Sequence, residues 1–133
     1  MVGFPGETDN EFEESRAFIE RLPFTYLHVF TYSERPGTPA AASHDQVPMT
    51  IRKERNRILR ELAANKNLEF RRTMVGRRLS AVTLTEGALS DNFLKVELAT
   101  RREPNQIVDV EIGSVTANAL AERSAFNVLA IRA

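Results

Sequence analysis

Two short stretches carry the chemistry-bearing residues of the first half of this sequence. "VGFPGE" at 2–7 sets Gly3, Pro5 and Gly6 ahead of a carboxylate, Glu7, and "HVFTYSERPGTPAA" at 28–41 runs from Val29, Phe30 and Tyr32 into the polar Ser33, Arg35 and Thr38. Glycines let a ligand approach the backbone closely, and free N–H groups at a helix start favour an anionic group. The same turn also serves as a plain connection in which Glu7 complements the helix dipole. Arg35 stands among acidic residues, suited to a bidentate grip on a carboxylate or phosphate, or to a surface pair with Glu34 or Glu7. The second half offers cations instead: Arg71, Arg72, Arg77 and Arg78 come in pairs around "TMVG", and Lys95, Arg101 and Arg102 follow. Together they make a basic stripe suited to nucleic-acid phosphates, with Phe70 and Phe93 as stacking candidates alongside the commoner fate of a buried phenylalanine. His28 and His44 have no partner at metal-ligand spacing, so no metal site is expected.

These residues sit in a chain of 133, with 42% hydrophobic content, enough for one ordinary domain or two small ones. Formal net charge is zero but unevenly spread: residues 1–50 balance to −5, residues 51–80 to +7 and residues 81–133 to −2. A basic middle is the footprint of a polyanion partner, or of a solvated helix face paired with the acidic start. There is no cysteine, which excludes disulfides, zinc–thiolate sites and cysteine-held iron–sulfur clusters within this chain. No apolar run is long enough to span a bilayer, and the start, "MVGFPGETDNEFEESR", is acidic where a signal peptide is basic. The expectation is a cytoplasmic protein without a membrane partner.

The elements that position the motifs follow from periodicity. Thr8 and Glu11 match a capping box, and Phe12, Ile19 and Leu22 share a helical face, so a helix is predicted over about 9–22, ended by Pro23. "MVGF" before it and "FTYLHVFTY" after it read as strands of a βαβ unit, which calls for a parallel sheet needing cover on both faces. "QVPMTIRKERNRILRELAANKN" reads as a second helix with Ile51, Ile58, Leu59 and Leu62 buried and Arg52, Lys53, Arg55, Arg57 and Arg60 around the rest of its circumference. Asn65 to Asn67 mark a boundary, giving units 1–66 and 67–133. Beyond it the period alternates. "EFRRTMVG", "RRLSAVTLT", "NFLKVELA", "IVDVEI" and "AFNVLAIRA" read as about five strands joined by turn-like "EGALSDN", "RREPNQ" and "GS", which suits a small antiparallel barrel.

With these motifs in order, "VGFPGET", "HVFTYSERPGTPAA", "QVP" at 46–48 and "KER" at 53–55 resemble the C-terminal part of the catalytic domain of radical S-adenosylmethionine methylthiotransferases. "RRTMVGRRLSAVTL" and "LSDNFLKVELA" are similar to their TRAM domain, an OB-like RNA-binding barrel. The implied fold is α+β and multidomain: a partial βαβ(α) remnant of a radical S-adenosylmethionine barrel over 1–66, then the antiparallel TRAM barrel over 67–133. "YSERPGTPAA" is similar to the tRNA-modifying branches, and "LHVFTYS" with "QVP…KER" to the branch acting on N6-threonylcarbamoyladenosine beside the anticodon rather than on N6-isopentenyladenosine.

The resemblance implies S-adenosylmethionine and two [4Fe-4S] clusters in the parent enzyme, which places sulfur and a methyl group at C2 of that adenosine. Gly3, Pro5, Gly6, Glu7, Val29, Phe30, Tyr32, Ser33 and Arg35 are then cofactor-binding, and Arg71, Arg72, Arg77, Arg78, Lys95, Arg101 and Arg102 meet tRNA in the anticodon region. The family's cluster cysteines are absent, so the chain resembles a C-terminal fragment with no catalytic or metal-ligating residue of its own, inactive alone and open to self-association along a truncated sheet edge. Two other readings stand beside it: a stand-alone TRAM-type RNA-binding module, and an interaction protein that docks through its βαβ remnant.

Overall fold

Thr8 turns the chain into its first helix. In the computed structural model, which describes residues 1–124, its hydroxyl accepts the Glu11 N–H while the Glu11 carboxylate accepts the Thr8 N–H, a complete capping box at the start of α1 (Asp9–Arg21). The helix α2 (Met49–Arg72) follows. Then come strands β1 (Arg78–Thr83), β2 (Ala88–Ser90), β3 (Lys95–Glu97), β4 (Ile107–Val115) and β5 (Leu120–Glu122). Two compact units divide the chain, Met1–Leu68 and a second beginning at Glu69.

In the first unit, α1 presents Phe12, and α2 presents Leu59, to Val2, with Ile19, Val29, Ile58 and Leu62 packed around them. The predicted strand pair contracts to one parallel bridge, Val2 with Thr31, in which the Val2 N–H donates to Phe30 O and the Tyr32 N–H to Val2 O, both at 2.8 Å. A parallel ladder is secured by covered neighbours, and among the described residues this pair has none. The alternation of "FTYLHVFTY" survives nonetheless: Val29 turns inward, while Phe24, Tyr26, His28 and Phe30 are exposed. The Tyr26 and His28 rings meet edge-on at 4.7 Å, and His28 stacks near Phe30 at 6.1 Å.

The second unit is a closed five-stranded barrel in the order β1-β2-β3-β5-β4, OB-like in size and composition. Its pairings are antiparallel except β3 with β5, which is parallel through Val96–Leu120 and Glu97–Ala121. Alternate residues point inward: Ala81, Ala88, Val96, Val110, Ile112 and Leu120, closed at one side by Met74 and Leu94.

Three sequence expectations change. "EFRRTMVG" is not a strand, because Glu69–Arg72 complete α2; Asn65 to Asn67 lie inside that helix. The Lys66 ammonium donates to Glu20 O, the Asn67 amide to Thr25 O, and Phe70 packs on the barrel core. Tertiary anchors override the weak helix propensity of asparagine. "EGALSDN" contains β2 rather than only a turn. "GS" is not a turn: β4 runs through it, its register shifting between Ile112 and Ser114. Gly113 is there because a Cβ would come within 2.9 Å of Arg123 Cα. The strand predicted in "AFNVLAIRA" lies outside the described residues.

Candidate functional site

The glycine loop is shaped by the protein's own charges. Gly3 has φ +73°, and a Cβ on it would lie 2.4 Å from Cγ of Arg52, so the glycine makes room for an arginine stem rather than for a ligand. The Gly3 N–H donates to the Glu7 carboxylate at 2.7 Å. Glu7 in turn receives Arg55 Nη1 at 2.6 Å, and Arg55 Nη2 reaches Asp9 at 2.7 Å. The anionic group expected at these N–H donors is thus Glu7 itself.

Arg52 and Arg55 are 3% and 4% exposed. Arg52 lies 5.1 Å from the Tyr32 ring centroid and donates to Val47 O at 2.6 Å, to Gln46 Oε1 at 2.9 Å and to Glu34 at 3.2 Å. Arg55 lies 5.3 Å from the Phe12 ring. Burial works against the Arg55 charge, but hydrogen bonds to Asp9 and Glu7 outweigh it and hold the guanidinium above its ordinary range. These two cations were expected on the solvated circumference of α2, with Ile51 inside; the structure reverses this, leaving Ile51 39% exposed. A signal was present in the spacing: Arg52, Arg55, Leu59 and Leu62 recur at i, i+3, i+7 and i+10, one helical face.

The other expected cofactor residues part company. Val29 joins the apolar cluster. Phe30 is 64% exposed. Tyr32 is buried, its ring edge-on to Phe4 at 5.3 Å, and its hydroxyl has no partner among the described residues. Ser33 and Arg35 are exposed, and the Arg35 guanidinium makes no ion pair among the described residues, Glu34 and Glu7 being taken by Arg52 and Arg55. Pro5 and Gly6 shape the loop, with the Gly6 N–H donating to Asp45 O at 2.8 Å. The polar groups of this set left open to a ligand are therefore Ser33 and Arg35. A cleft of about 280 Å³ lies between Val2, Phe12, Ile19, His28 and Val29. No group of acidic or histidine side chains among the described residues is disposed to hold a metal.

On the barrel the expected basic stripe divides. Arg71 leaves it: at 6% exposure its guanidinium donates to Thr116 O, Ala117 O and Ala119 O at 2.8–3.2 Å, fastening the β4–β5 turn rather than facing a phosphate. Its neighbour Arg72, on the same last turn of α2, is exposed. Arg77 and Arg78 are exposed at the start of β1. Lys95, Arg101 and Arg102 instead line an open groove of about 860 Å³ that also receives Glu86, Glu97, Leu84, Leu98 and Asn118. There Arg102 pairs with Glu122. Phe70 packs half-buried against the barrel core, while Phe93 is 83% exposed with φ 63°.

No protein-family model matches the chain. Among curated proteins it is similar to the threonylcarbamoyladenosine tRNA methylthiotransferase MtaB of Aquifex aeolicus, 37% identical over 113 residues, 84% of this chain and 28% of that protein. It is 41% identical over 113 residues to the MtaB of Rickettsia prowazekii, covering 84% of this chain and 27% of the relative. It is also similar to the tRNA-2-methylthio-N(6)-dimethylallyladenosine synthase of Methylococcus capsulatus, 42% identical over 109 residues, 82% of this chain and 23% of that protein. The chain spans about a quarter of the length of these relatives.

Proposed function

Because this chain is homologous to part of the tRNA methylthiotransferases, we propose that it serves as a portion of such an enzyme, its first unit contributing one wall of an S-adenosylmethionine site and its barrel holding tRNA near the anticodon. One observation carries the reading. The residues singled out by "VGFPGE", "HVFTYSERPGTPAA", "QVP" and "KER" gather on α2 in two clusters less than one helical turn apart: Gly3 on Glu7 and Glu7 on Arg55, and Gln46, Val47, Tyr32 and Glu34 on Arg52, the residue before "KER". Two buried guanidiniums cost several kcal/mol of desolvation unless closely paired, and here they fix two loops against one helix. That is how a rigid loop pair is held for a ligand.

The relatives' names carry two substrates, both N6-substituted adenosines of tRNA. Of these, "LHVFTYS" with "QVP…KER" favours threonylcarbamoyladenosine for the parent of this chain. Bound S-adenosylmethionine supplies the methyl group and the radical chemistry in such enzymes. This chain's part is to position: the exposed Arg35 and Ser33 offer donors to the carboxylate end of an amino-acid ligand. Clusters of the [4Fe-4S] type need thiolates, and with no cysteine the chain is proposed to hold neither. The exposed row Phe24, Tyr26, His28 and Phe30 is read as the face that the rest of a catalytic domain covers; left bare, it is the surface through which the chain self-associates. No described helix is long and apolar enough to cross a membrane, and the place of work proposed is the cytoplasm.

A chimaera tests this. This chain replaces the matching stretch of the Aquifex aeolicus relative, and tRNA nucleosides are resolved by mass spectrometry. Methylthiolated threonylcarbamoyladenosine supports the reading, and Arg35→Ala in the same chimaera lowers the yield. A folded, cluster-loaded chimaera that gives no methylthio product overturns it. The chain alone, with tRNA, S-adenosylmethionine and reductant, is expected to give no product.

A further inference from the structure

The groove at the 84–102 side of the barrel and the opposite end of the same strands offer cations of different kinds. In the groove, Lys95, Arg101 and Arg102 face Glu86 and Glu97, and Arg102 is already paired with Glu122. Lys95 and Arg101 make no ion pair among the described residues, but Glu86, Glu97 and Glu122 match the three cations in number, so the groove carries no net positive charge. At the other end, Arg72, Arg77 and Arg78 are exposed and make no ion pair among the described residues. Glu111 stands across the ladder from Arg78, but its carboxylate is held by Arg123.

The turn between β2 and β3 stands at this same end. The Asp91 N–H donates to Ser80 O at 2.8 Å, and the Asn92 amide reaches Met74 Sδ at 3.3 Å, while the Arg77 N–H donates to Met74 O at 3.0 Å. The turn that carries Phe93 is therefore seated on the turn that carries Arg77. Phe93 itself has φ 63° and is 83% exposed. A left-handed backbone is unfavourable for a bulky residue, and exposing a phenyl ring forgoes its burial. Asparagine or glycine would relieve the first cost. The turn is held rigid, with the Phe93 N–H on Ser90 O at 2.9 Å and the Ser90 hydroxyl accepting the Leu94 N–H at 2.9 Å. A local rule is broken at a well-fixed position, and the product is a bare aromatic face beside three unpaired guanidiniums.

We infer that this end of the barrel, Arg72, Arg77 and Arg78 with Phe93 as platform, is the nucleic-acid contact, and that it takes an unpaired base of an RNA loop on Phe93 while the guanidiniums hold the flanking phosphates. The groove of Lys95, Arg101 and Arg102 is not the contact. Charge alone would suit any polyanion; the exposed ring narrows the occupant to one with stacking faces. The inference rests on the proposed role of the barrel in holding tRNA and names the surface that does so.

The test measures binding of the whole chain to a labelled RNA stem–loop by fluorescence anisotropy across a salt series. Phe93→Asn suits the left-handed turn, so its thermal midpoint is expected to match or exceed that of the parent, yet its affinity falls about five- to a hundredfold. Phe93→Trp is expected to restore binding. The triple variant R72Q/R77Q/R78Q lowers the slope of log affinity against log salt by about 2. Lys95→Gln with Arg101→Gln leaves affinity within about twofold, against the loss from Phe93→Asn at the same salt. Equal affinity of Phe93→Asn and the parent, or a larger loss from the groove variant, overturns the placement while leaving the tRNA reading intact. Displacement of the RNA by polyglutamate at equal charge also overturns it, marking a site for acidic polypeptide. Failure of the parent chain to bind any RNA overturns the placement and the RNA role together.

Discussion

Between Met1 and Leu68 the interior holds two guanidiniums, Arg52 and Arg55, and the backbone is tied across by a single parallel bridge. From β1 to β5 the interior is mainly apolar, with Val110, Ile112 and Leu120 at 0% exposure and only the hydrogen-bonded hydroxyls of Thr83 and Ser90 buried among the strands' polar side chains, and every strand has two partners because the sheet closes on itself. The barrel satisfies its own ladder groups and fills itself with alternate side chains. The first unit instead spends charged side chains on loop carbonyls and carboxylates and leaves an aromatic row exposed. A closed sheet is sufficient in itself. A sheet reduced to one bridge must be pinned, and what pins it fixes the loops that the proposed function needs.

The largest expected effect sharpens the barrel side. Leu120→Ala removes a fully buried side chain and costs about 2–5 kcal/mol; hydrogen exchange should rise over residues 78–122 with that over 9–21 unchanged. Arg55→Met then tests the other side. It leaves Glu7 without its cation and costs about 3 kcal/mol, so exchange of α1 and of the Gly3 amide should rise while barrel protection holds. Equal loss of protection in both units by either variant would break the comparison. Thr8→Ala is smaller: it removes one half of the capping box and lowers the stability of α1 by about 1 kcal/mol.

The smallest effect is in pH. Acceptance of the Thr8 N–H, then of its hydroxyl, holds the Glu11 carboxyl below its ordinary 4.5. A carboxyl lowered on folding stabilises fully above its unfolded value and ceases to as pH falls through the folded one. Helicity of α1, followed by residue-resolved nuclear magnetic resonance, should therefore decline below about pH 4.5. Glu11→Gln keeps the reach-back hydrogen bond and should flatten that decline.

Much of this was legible along the chain. The Thr8/Glu11 pair sets the start of α1, because capping is local and its partners are three residues apart. The alternation in "IVDVEI" sets which face of β4 is buried, and "YSERPGTPAA" carried the family resemblance. What sequence could not decide were matters settled by distant neighbours. Asn65 to Asn67 read as a break, yet become helix once Thr25 O and the barrel core receive Asn67 and Phe70. Arg71 is indistinguishable from Arg72 by type, and only the carbonyls of residues 116–119 draw it inside. Arg52 and Arg55 sit inside because Glu34, Glu7 and Asp9, far away in sequence, come to meet them.

By itself, then, the sequence determined the periods, the caps and the residue types available for chemistry, since these depend on neighbours within one or two turns of chain. Tertiary structure alone decided which arginines became pins and which stayed free, and turned Phe93 outward. The physical reason is that a charge's fate depends on which counter-groups surround it, and the carboxylates that meet Arg52 and Arg55 come from 18 to 48 residues away.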